Sequence, residues 1–470
     1  MNKETIEKGK KLVIIRGLRA DDLVIDNFTA RAGEGWCCIG NNTSGVDSLG
    51  EIFAGEILPS SSSQMILPDD TGVITFAKQQ SWFEEELRLD DTDYMNRLDP
   101  GTPAINYLSE PEQFDDLIES CNMKSVLAKG FRQLSSGQAR KLCLLAEVTK
   151  KVRCLIVQNP YEGIDTQSCH DINRMFAALI KSGVLLIVTI NNADDFPAWC
   201  THIAIVQNGR MTMAGQADRK TAALVFANIK KSGDIRVAVD ELHRERQEQY
   251  PAEKVLVRLR GGIGGYGEEI IFSGVDLSIA EGEHTLITGP NGCGKSTLVH
   301  LITGDHPWSY KNDIQVFGIQ RGTGESIWEL KRQMGIVSSE LHRNHFIAGS
   351  CLQVVVSGLF DSIGLYKMPT GEQLKRGEKW LERLGMAHMS TKPFRRQSFA
   401  RQRLLLIGRA LIKVPRLLVL DEPTLGLDQG NRTALLKLLA EIAGENLCTL
   451  LYVSHRHDEY RSFFRQHVAM

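Results

Sequence analysis

Nine residues in the second half of the chain have the pattern of a phosphate-binding loop. They read GPNGCGKST, and they match G-x-x-x-x-G-K-[ST] between a strand-like and a helix-like segment. Glycines let backbone N–H groups close around phosphate oxygens, and the N-terminus of the next helix adds further donors. Lys295 would reach the β- and γ-phosphates, and Ser296 would ligate Mg²⁺. The residues predicted to bind a nucleoside triphosphate here are Gly289, Asn291, Gly292, Gly294, Lys295, Ser296 and Thr297.

Two carboxylates, a histidine and a tyrosine in the same half complete a set for phosphoryl chemistry. Asp421 and Glu422 end the apolar segment LLVL, so Asp421 would hold Mg²⁺ and Glu422 would polarise water as general base. His455 lies 33 residues after Glu422, where a γ-phosphate sensor is expected. Tyr266 precedes Gly289 by 23 residues and would stack on adenine. A lone histidine or aromatic residue is more often structural, so both assignments depend on the phosphate loop.

The two halves of the chain form a diverged repeat. Leu134–Asp165 aligns without a gap with Gln397–Asp428, at a constant offset of 263 residues. Upstream, GNNTSGVDS from Gly40 aligns with the phosphate loop from Gly289. A repeat this long indicates duplicated domains rather than a solenoid. We predict domains at 1–228 and 253–470, joined by a charged linker at 229–252.

Apolar runs place these residues on strands of an α/β fold. CLIV and LLVL read as buried parallel strands, and the carboxyl ends of such strands carry ligands in open sheets. Each half is therefore predicted to be three-layered, with a mixed sheet and a helical insert before the LSSGQ segment. The first half continues with THIAIVQNGRM, whereas the second runs only 15 residues past His455. We expect the second copy to lack that closing strand or to replace it.

These motifs together resemble those of the ABC-type ATPases. The decisive element is LSSGQ, Leu134 to Gln138, and the tandem resemblance covers nearly the whole chain. Residues 303–342 resemble the tandem ABC ATPases associated with molybdate transport. The resemblance implies two P-loop nucleotide-binding domains, ATP and Mg²⁺ as cofactors, and a head-to-tail sandwich. In that sandwich each ATP lies between the phosphate loop of one half and the LSGGQ-type segment of the other, which would involve Ser135, Gly137 and Gln138.

The first half departs from the pattern in its phosphate loop, at its acidic pair and at the position of the histidine. Neutral or acidic groups in place of lysine and serine oppose the binding of a polyphosphate, and amides cannot act as a general base. The departures are Val46 for the lysine, Asp47 for the metal-binding serine, Gln158 and Asn159 for the acidic pair, and Asn191 for the histidine.

The second half keeps these groups and departs in its signature segment, where Ala400 replaces the glycine and Arg401 the glutamine, and at the coupling glutamine, where Ser339 or Glu340 stands. The losses therefore fall on one side of the sandwich and leave one complete composite site. We predict an ATPase with one active site. Two alternatives remain at this point: a regulatory ATP-binding protein of the ABC-F or sensor kind, uncoupled from transport, and random decay of both sites.

Composition restricts the partners. The net charge is −2 and no Lys/Arg run occurs, which argues against a nucleic-acid partner. The longest apolar stretch, Val184–Ile190, is too short to span a membrane. We therefore expect a cytoplasmic protein that pairs with its own tandem half or a second chain. A transport role would require a separate membrane permease subunit and attachment at the inner face of the cell membrane.

Overall fold

The computed structural model describes residues 10–20, 23–42, 44–89, 100–162, 164–217, 219–231, 254–266, 269–290, 292–343, 345 and 347–470. They fall into two compact units, Met1–Ser232 with Leu427–Gly430 and Gly233–Gly426 with Asn431–Met470. The predicted linker lies outside the described residues from 232 onwards, and its first three residues end a helix. Within these ranges no helix is long and apolar enough to cross a membrane.

The first unit contains a single nine-stranded mixed sheet, with strand order β4-β1-β2-β9-β8-β3-β7-β6-β5. The central strands β3, β5, β6, β7 and β8 are parallel, while β1, β2, β4 and β9 add antiparallel pairings. The strands are β1 (Lys11–Arg19), β2 (Val24–Arg31), β3 (Gly35–Ile39), β4 (Gln64–Ile66), β5 (Thr71–Ile74), β6 (Cys154–Val157), β7 (Leu185–Ile190), β8 (His202–Gln207) and β9 (Arg210–Gln216). The helices are α1 (Val46–Phe53), α2 (Phe76–Arg88), α3 (Asp115–Ser120), α4 (Ser136–Val148), α5 (Thr166–Lys181) and α6 (Arg219–Lys231).

Alternate side chains of the central strands enter two separate cores, which makes the first unit three-layered. Leu155 and Val157 pack in the core that contains residues of α4, α5 and α6. Cys154 and Ile156 pack in the opposite core, with residues of α1, β1 and β2. Both faces of the parallel strands are covered, which is why CLIV is an unbroken apolar run. The predicted α/β class is confirmed.

The second unit divides its strands between two sheets. An antiparallel sheet has the order β11-β10-β13-β14, and a parallel sheet has the order β15-β16-β17-β12-β18. The strands are β10 (Val255–Tyr266), β11 (Glu269–Ala280), β12 (Thr285–Thr288), β13 (Asp313–Val316), β14 (Ile319–Gln320), β15 (Met334–Val337), β16 (Leu417–Asp421), β17 (Thr449–Val453) and β18 (Gln466–Ala469). The helices are α7 (Lys295–Thr303), α8 (Ile327–Arg332), α9 (Ser339–Arg343), α10 (Cys351–Ser357), α11 (Gly371–Arg383), α12 (Phe399–Leu411) and α13 (Gln429–Gly444).

The helical inserts precede the signature segments of both units. In the first unit the insert consists of α3 and short 3₁₀ turns, and in the second of α10, α11 and further 3₁₀ turns. Helices α10 and α11 both begin with a capping box, in which the side chains of Ser350 and Thr370 accept hydrogen bonds from the backbone N–H groups of Gln353 and Gln373. These N–H groups lie in the first turn of each helix and have no partner within the helix backbone. These inserts end where α4 and α12 begin.

Strand β18 occupies the place where the sequence predicted a missing or replaced strand. It pairs in parallel with β12, as β8 pairs in parallel with β3 in the first unit. A closing strand is therefore present in the second unit, at the same place in the sheet as β8, and the expectation that it is lacking is wrong. Its sequence QHVA has a half-exposed, alternating pattern rather than an apolar run, so periodicity could not separate it from a loop.

Candidate active site

The phosphate loop of the second unit joins β12 to α7, as the motif requires. Gly294 caps α7 in the left-handed region at φ 101°. A Cβ at this position would lie 2.6 Å from Cδ1 of Phe272, so only glycine fits. Gly289 and Gly292 also have positive φ values. Asn291 lies outside the described residues.

Lys295 and Ser296 are held by different partners at the start of α7. The Lys295 ammonium is buried and donates hydrogen bonds to the carbonyl oxygens of Gly289, at 2.9 Å, and Pro290, at 2.8 Å. The Ser296 hydroxyl donates to Oδ2 of Asp421 at 2.8 Å. Thr297 follows as a buried residue of the first turn. The backbone carbonyls of the loop therefore hold the Lys295 ammonium in a fixed position.

Asp421 ends strand β16 in a buried position. Burial raises the pKa of this carboxyl to about 6, and the negative charge of the neighbouring Glu422 acts in the same direction. The hydrogen bond from Ser296 opposes both effects. A buried carboxylate beside a serine hydroxyl is a pair of hard oxygen donors, the kind that Mg²⁺ prefers. The two predicted metal ligands thus lie together and fit the ion.

Glu422 and His455 meet at the carboxyl ends of two neighbouring strands. Glu422 Oε1 lies 2.9 Å from Nδ1 of His455, and the Glu422 backbone has a φ of 49°. Burial alone would raise the pKa of Glu422, but the hydrogen bond and charge of His455 and the charge of Lys295 bring the pKa below its ordinary value. Because an ionised carboxylate only accepts, the proton of this hydrogen bond sits on Nδ1.

An arginine that the site prediction omitted braces this turn. Arg403 of α12 is fully buried and donates to the backbone carbonyls of Asp421, at 2.9 Å, and Glu422, at 2.6 Å. It also donates to the Ser338 carbonyl at 2.9 Å. Arg140 makes the matching contact to the carbonyl of Asn159 in the first unit. The signal for Arg403 was therefore present, since the repeat keeps an arginine at this position.

Tyr266 ends strand β10 and is half-exposed. Its ring centroid lies 5.0 Å from that of the buried His306, at an interplanar angle of 64°. The exposed part of a tyrosine ring is a flat aromatic surface on which a base can stack. The structure thus places Tyr266 on the surface of the unit that carries the phosphate loop, and its role toward adenine stays a prediction.

The LSSGQ segment of the first unit forms the N-terminus of α4. The Ser135 hydroxyl accepts from the Gln138 N–H at 3.2 Å, and the Gln138 side chain accepts from the Ser135 N–H at 3.0 Å. This reciprocal pair is a capping box. Gly137 lies so close to α5 that a Cβ on it would be only 2.8 Å from Oγ of Ser168. The corresponding Ser398 of α12 makes no such cap.

In the first unit the carboxylate lies on the helix that follows the loop and the amide lies after the strand, the opposite of the second unit's arrangement of hydroxyl and carboxylate. Asp47 stands on the helix, and the Asn159 amide donates to it at 3.3 Å. The Gln158 side chain also hydrogen-bonds to Asp47, and its Oε1 accepts from the Phe76 N–H at 3.0 Å. Burial raises the pKa of Asp47. Asn159 has a φ of 43°, so its backbone retains the left-handed turn of Glu422, and Val46 is buried where the lysine would stand.

Known proteins share this architecture. The ABC transporter family profile matches residues 272–425. The ABC transporter ATP-binding protein ModF of Escherichia coli is 30% identical over 446 residues, which cover 93% of this chain and 91% of that protein. The chain belongs to the ABC transporter ATP-binding proteins. The match indicates an ATPase, and the family implies the use of ATP and Mg²⁺.

One further relative and one solved structure match over most of the chain. An uncharacterized ABC transporter ATP-binding protein of Schizosaccharomyces pombe is 24% identical over 465 residues, covering 92% of this chain and 91% of that one. The crystal structure of an archaeal ribosome recycling factor, solved in complex with a ribosomal stalk protein, has a TM-score of 0.52 at 15% identity. It covers 94% of this chain and 84% of that chain. This likeness shows the fold alone, and the predicted tandem ABC fold is confirmed.

Proposed function

We propose that this ABC ATPase hydrolyses ATP at one composite site, formed by the second-half phosphate loop and acidic pair with the first-half LSSGQ segment. ATP would lie against Lys295 and Ser296, with Ser135 and Gly137 donating to the γ-phosphate from the same chain or a second one. We further propose that the protein is the ATP-binding component of a transport system of the ModF type, associated with molybdate and partnered by a separate membrane permease.

One contrast supports the proposal of a single site. In the second unit the Ser296–Asp421 and His455–Glu422 hydrogen bonds, at 2.8 and 2.9 Å, bring the groups for metal binding and proton transfer together. In the first unit Asp47, at the position of Ser296, accepts instead from the amide of Asn159, which stands at the position of Glu422. The intact signature segment is likewise found in one half only.

The reaction follows from the protonation states of these groups. Glu422, ionised because its pKa is lowered, accepts a proton from a water that attacks the γ-phosphorus in line. A new P–O bond forms while the bond to the bridging oxygen breaks, and ADP leaves with that electron pair. His455 donates from Nδ1 to Glu422 and orients the carboxylate. Lys295 neutralises the charge that develops on the β- and γ-phosphate oxygens.

Ser296 and Asp421 would hold Mg²⁺ beside the phosphates. When bound, the ion would supply positive charge that offsets the negative charge of the phosphates. The side chains themselves prepare the site, because Ser296 keeps the buried Asp421 carboxylate in place through its hydroxyl.

A pair of substitutions tests the asymmetry. Glu422→Gln should retain ATP and reduce turnover by about a hundredfold or more, because the amide cannot take the proton. Val46→Ala should leave turnover unchanged, since no lysine is lost. Steady-state phosphate release and retention of labelled ATP measure both. Equal losses from the two substitutions would refute the single-site proposal, and equal hydrolysis by wild type and Glu422→Gln would favour a regulatory clamp.

The transport partner needs its own experiment. Affinity capture of the Glu422→Gln protein with ATP and Mg²⁺, followed by mass spectrometry, should recover a membrane permease subunit in a detergent extract. Wild-type protein captured without nucleotide is the control. Recovery of ribosomal proteins instead would contradict the transport assignment while leaving the ATPase proposal intact.

A further inference from the structure

A buried carboxylate lies behind the proposed catalytic pair and has no part in the mechanism above. Glu459 belongs to the 3₁₀ turn His457–Glu459 and is fully buried. Its Oε2 accepts hydrogen bonds from Tyr452 at 2.9 Å and from Ser454 at 2.7 Å, and its Oε1 accepts from Thr424. A buried carboxylate is costly unless its oxygens are satisfied, and here three hydroxyl donors bind them while Arg456 Nε lies 3.8 Å from Oε1.

These three donors come from the segments that carry the catalytic groups. Thr424 lies two residues after Glu422, and Ser454 lies immediately before His455. Tyr452 is buried in the strand β17 that leads to Ser454. The Glu459 carboxylate therefore joins the turn that bears Glu422 to the turn that bears His455, and those two side chains meet at 2.9 Å.

The first unit provides an internal comparison, because the sheet registers of the two units coincide. Cys37 pairs with Val188 in the first unit, and Leu286 pairs with Tyr452 in the second. Val188 thus stands at the position of Tyr452, and Ile190 stands at that of Ser454. Neither carries a hydroxyl.

The residue at the position of Thr424 has a different hydrogen-bond partner in the first unit. By the gapless repeat Tyr161 stands at the position of Thr424, and its hydroxyl donates to Asn173 at 2.7 Å. Asp195 stands at the position of Glu459 and is only partly buried. The three-hydroxyl arrangement therefore accompanies the half that keeps the acidic pair and the histidine, which points to a role in their chemistry rather than in the fold that both halves share.

We infer that Glu459 is a positioning residue for hydrolysis, which holds the turns of Glu422 and His455 at a fixed separation. The inference rests on the proposed function, because it assigns Glu422 and His455 their roles. Displacing a reacting group by about 1 Å can cost about a hundredfold in rate, so a tie between the two turns has catalytic weight. Glu459 touches neither water nor nucleotide in this scheme and acts through the backbone of its donors.

The test compares Glu459→Gln with Asp195→Asn, a matched change from acid to amide in the other half. Glu459→Gln should lower kcat by about tenfold to a hundredfold and leave the KM for ATP within about twofold, because binding through the phosphate loop is untouched. Ser454→Ala, which removes a single donor, should lower kcat in the same sense by a smaller factor. Asp195→Asn should leave kcat within about twofold of wild type.

A double-variant cycle separates positioning from mere structural support. In a His455→Ala background, Glu459→Gln should cost less than about twofold further, since residues that act together are not additive. The inference would be overturned if the factors by which the two single substitutions lower kcat multiplied in the double variant. It would also be overturned if kcat were unchanged in both Glu459→Gln and Ser454→Ala. Glu422→Gln is measured alongside: if it alone abolishes turnover while the Glu459 variants do not, only this inference fails. If Glu422→Gln is also without effect, the proposed function fails.

Discussion

Single residues at the proposed site combine burial with charge. Lys295 satisfies its charge on two backbone carbonyls, Asp421 on the Ser296 hydroxyl, and Glu422 on His455. The motif spacing predicted that these side chains belong to one nucleotide-binding site. The repeat marked Arg403 as a kept position but not its contacts, and nothing in the sequence marked Glu459, because the contacts of both join segments that only the tertiary fold brings together.

The raised pKa of Asp421 predicts a pH-dependent stability. Its pKa is about 6 against an ordinary value of 3.8, so the folded protein holds a proton that the unfolded chain releases. Stability contributed by this group is therefore lost as pH rises through that window. Asp421→Asn removes this cost, and the variant should be more stable than wild type above about pH 6, with the difference vanishing below about pH 4. Its Mg²⁺-dependent ATPase activity should be lost.

Thermal unfolding with a chelator present, at several pH values, measures this effect. A gain of 1 kcal/mol would raise the midpoint by roughly 2–4 °C in a unit of this size. Asp313→Asn, at an exposed strand position, is the control and should show no such pH trend. A stability difference for Asp421→Asn that stays the same across the whole pH range would contradict the assigned burial effect.

At the scale of elements, two helices that begin with the repeated signature differ in how they are capped. Helix α4 begins with the reciprocal Ser135–Gln138 capping box. The N-cap residue of helix α12 is Ser398, and its hydroxyl is buried without a hydrogen-bond partner among the described atoms. The unequal signature segments are thus visible as unequal helix N-termini.

Serine-to-alanine changes at the two helix starts should therefore have unequal effects. Ser135→Ala removes a cap and should cost about 1 kcal/mol locally, while Ser398→Ala should cost close to nothing. Hydrogen exchange followed by mass spectrometry should show faster exchange at the start of α4 in Ser135→Ala and no change at the start of α12 in Ser398→Ala. ATPase activity should fall only in Ser135→Ala. Faster exchange in both variants would show that α12 is capped after all.

The elements also show how far sequence reasoning reached. Unbroken apolar runs predicted β6 and β16, since parallel strands covered on both faces need apolar side chains throughout. Strand β18 was not identified, because an edge position tolerates the alternating QHVA pattern. The division of the second unit into an antiparallel and a parallel sheet likewise depends on pairings that no local pattern specifies.

At the scale of the whole molecule, two units with separate cores carry unequal loops. The first unit is built around two apolar clusters, and the second around its own cluster that includes Leu298 of the phosphate-loop helix. Ligands that bind only the folded state stabilise it by mass action. The unit whose loop binds ATP should therefore respond to nucleotide more strongly than the other.

Calorimetry of the full-length chain tests this difference between the units. We expect two unfolding transitions, and ATP with Mg²⁺ should raise one of them by about 2.7 kcal/mol at a hundredfold excess over Kd. Lys295→Ala should abolish the rise, because it removes the ammonium that meets the phosphates. Val46→Ala, its counterpart in the first unit, should preserve the rise. An undiminished rise in Lys295→Ala would show that nucleotide binds elsewhere.

The left-handed turn shared by Asn159 and Glu422 has a consequence for protein engineering. Glu422 at φ 49° is held in this conformation by its surroundings, whereas asparagine adopts it more readily than most residues with a side chain. The first unit has therefore kept the backbone turn of the acidic pair after losing its carboxylates. Restoring the chemistry would need new side chains at Val46, Asp47, Gln158, Asn159 and Asn191. In the proposed sandwich it would also need a glycine and a glutamine at Ala400 and Arg401, because the second site draws its signature segment from the other half.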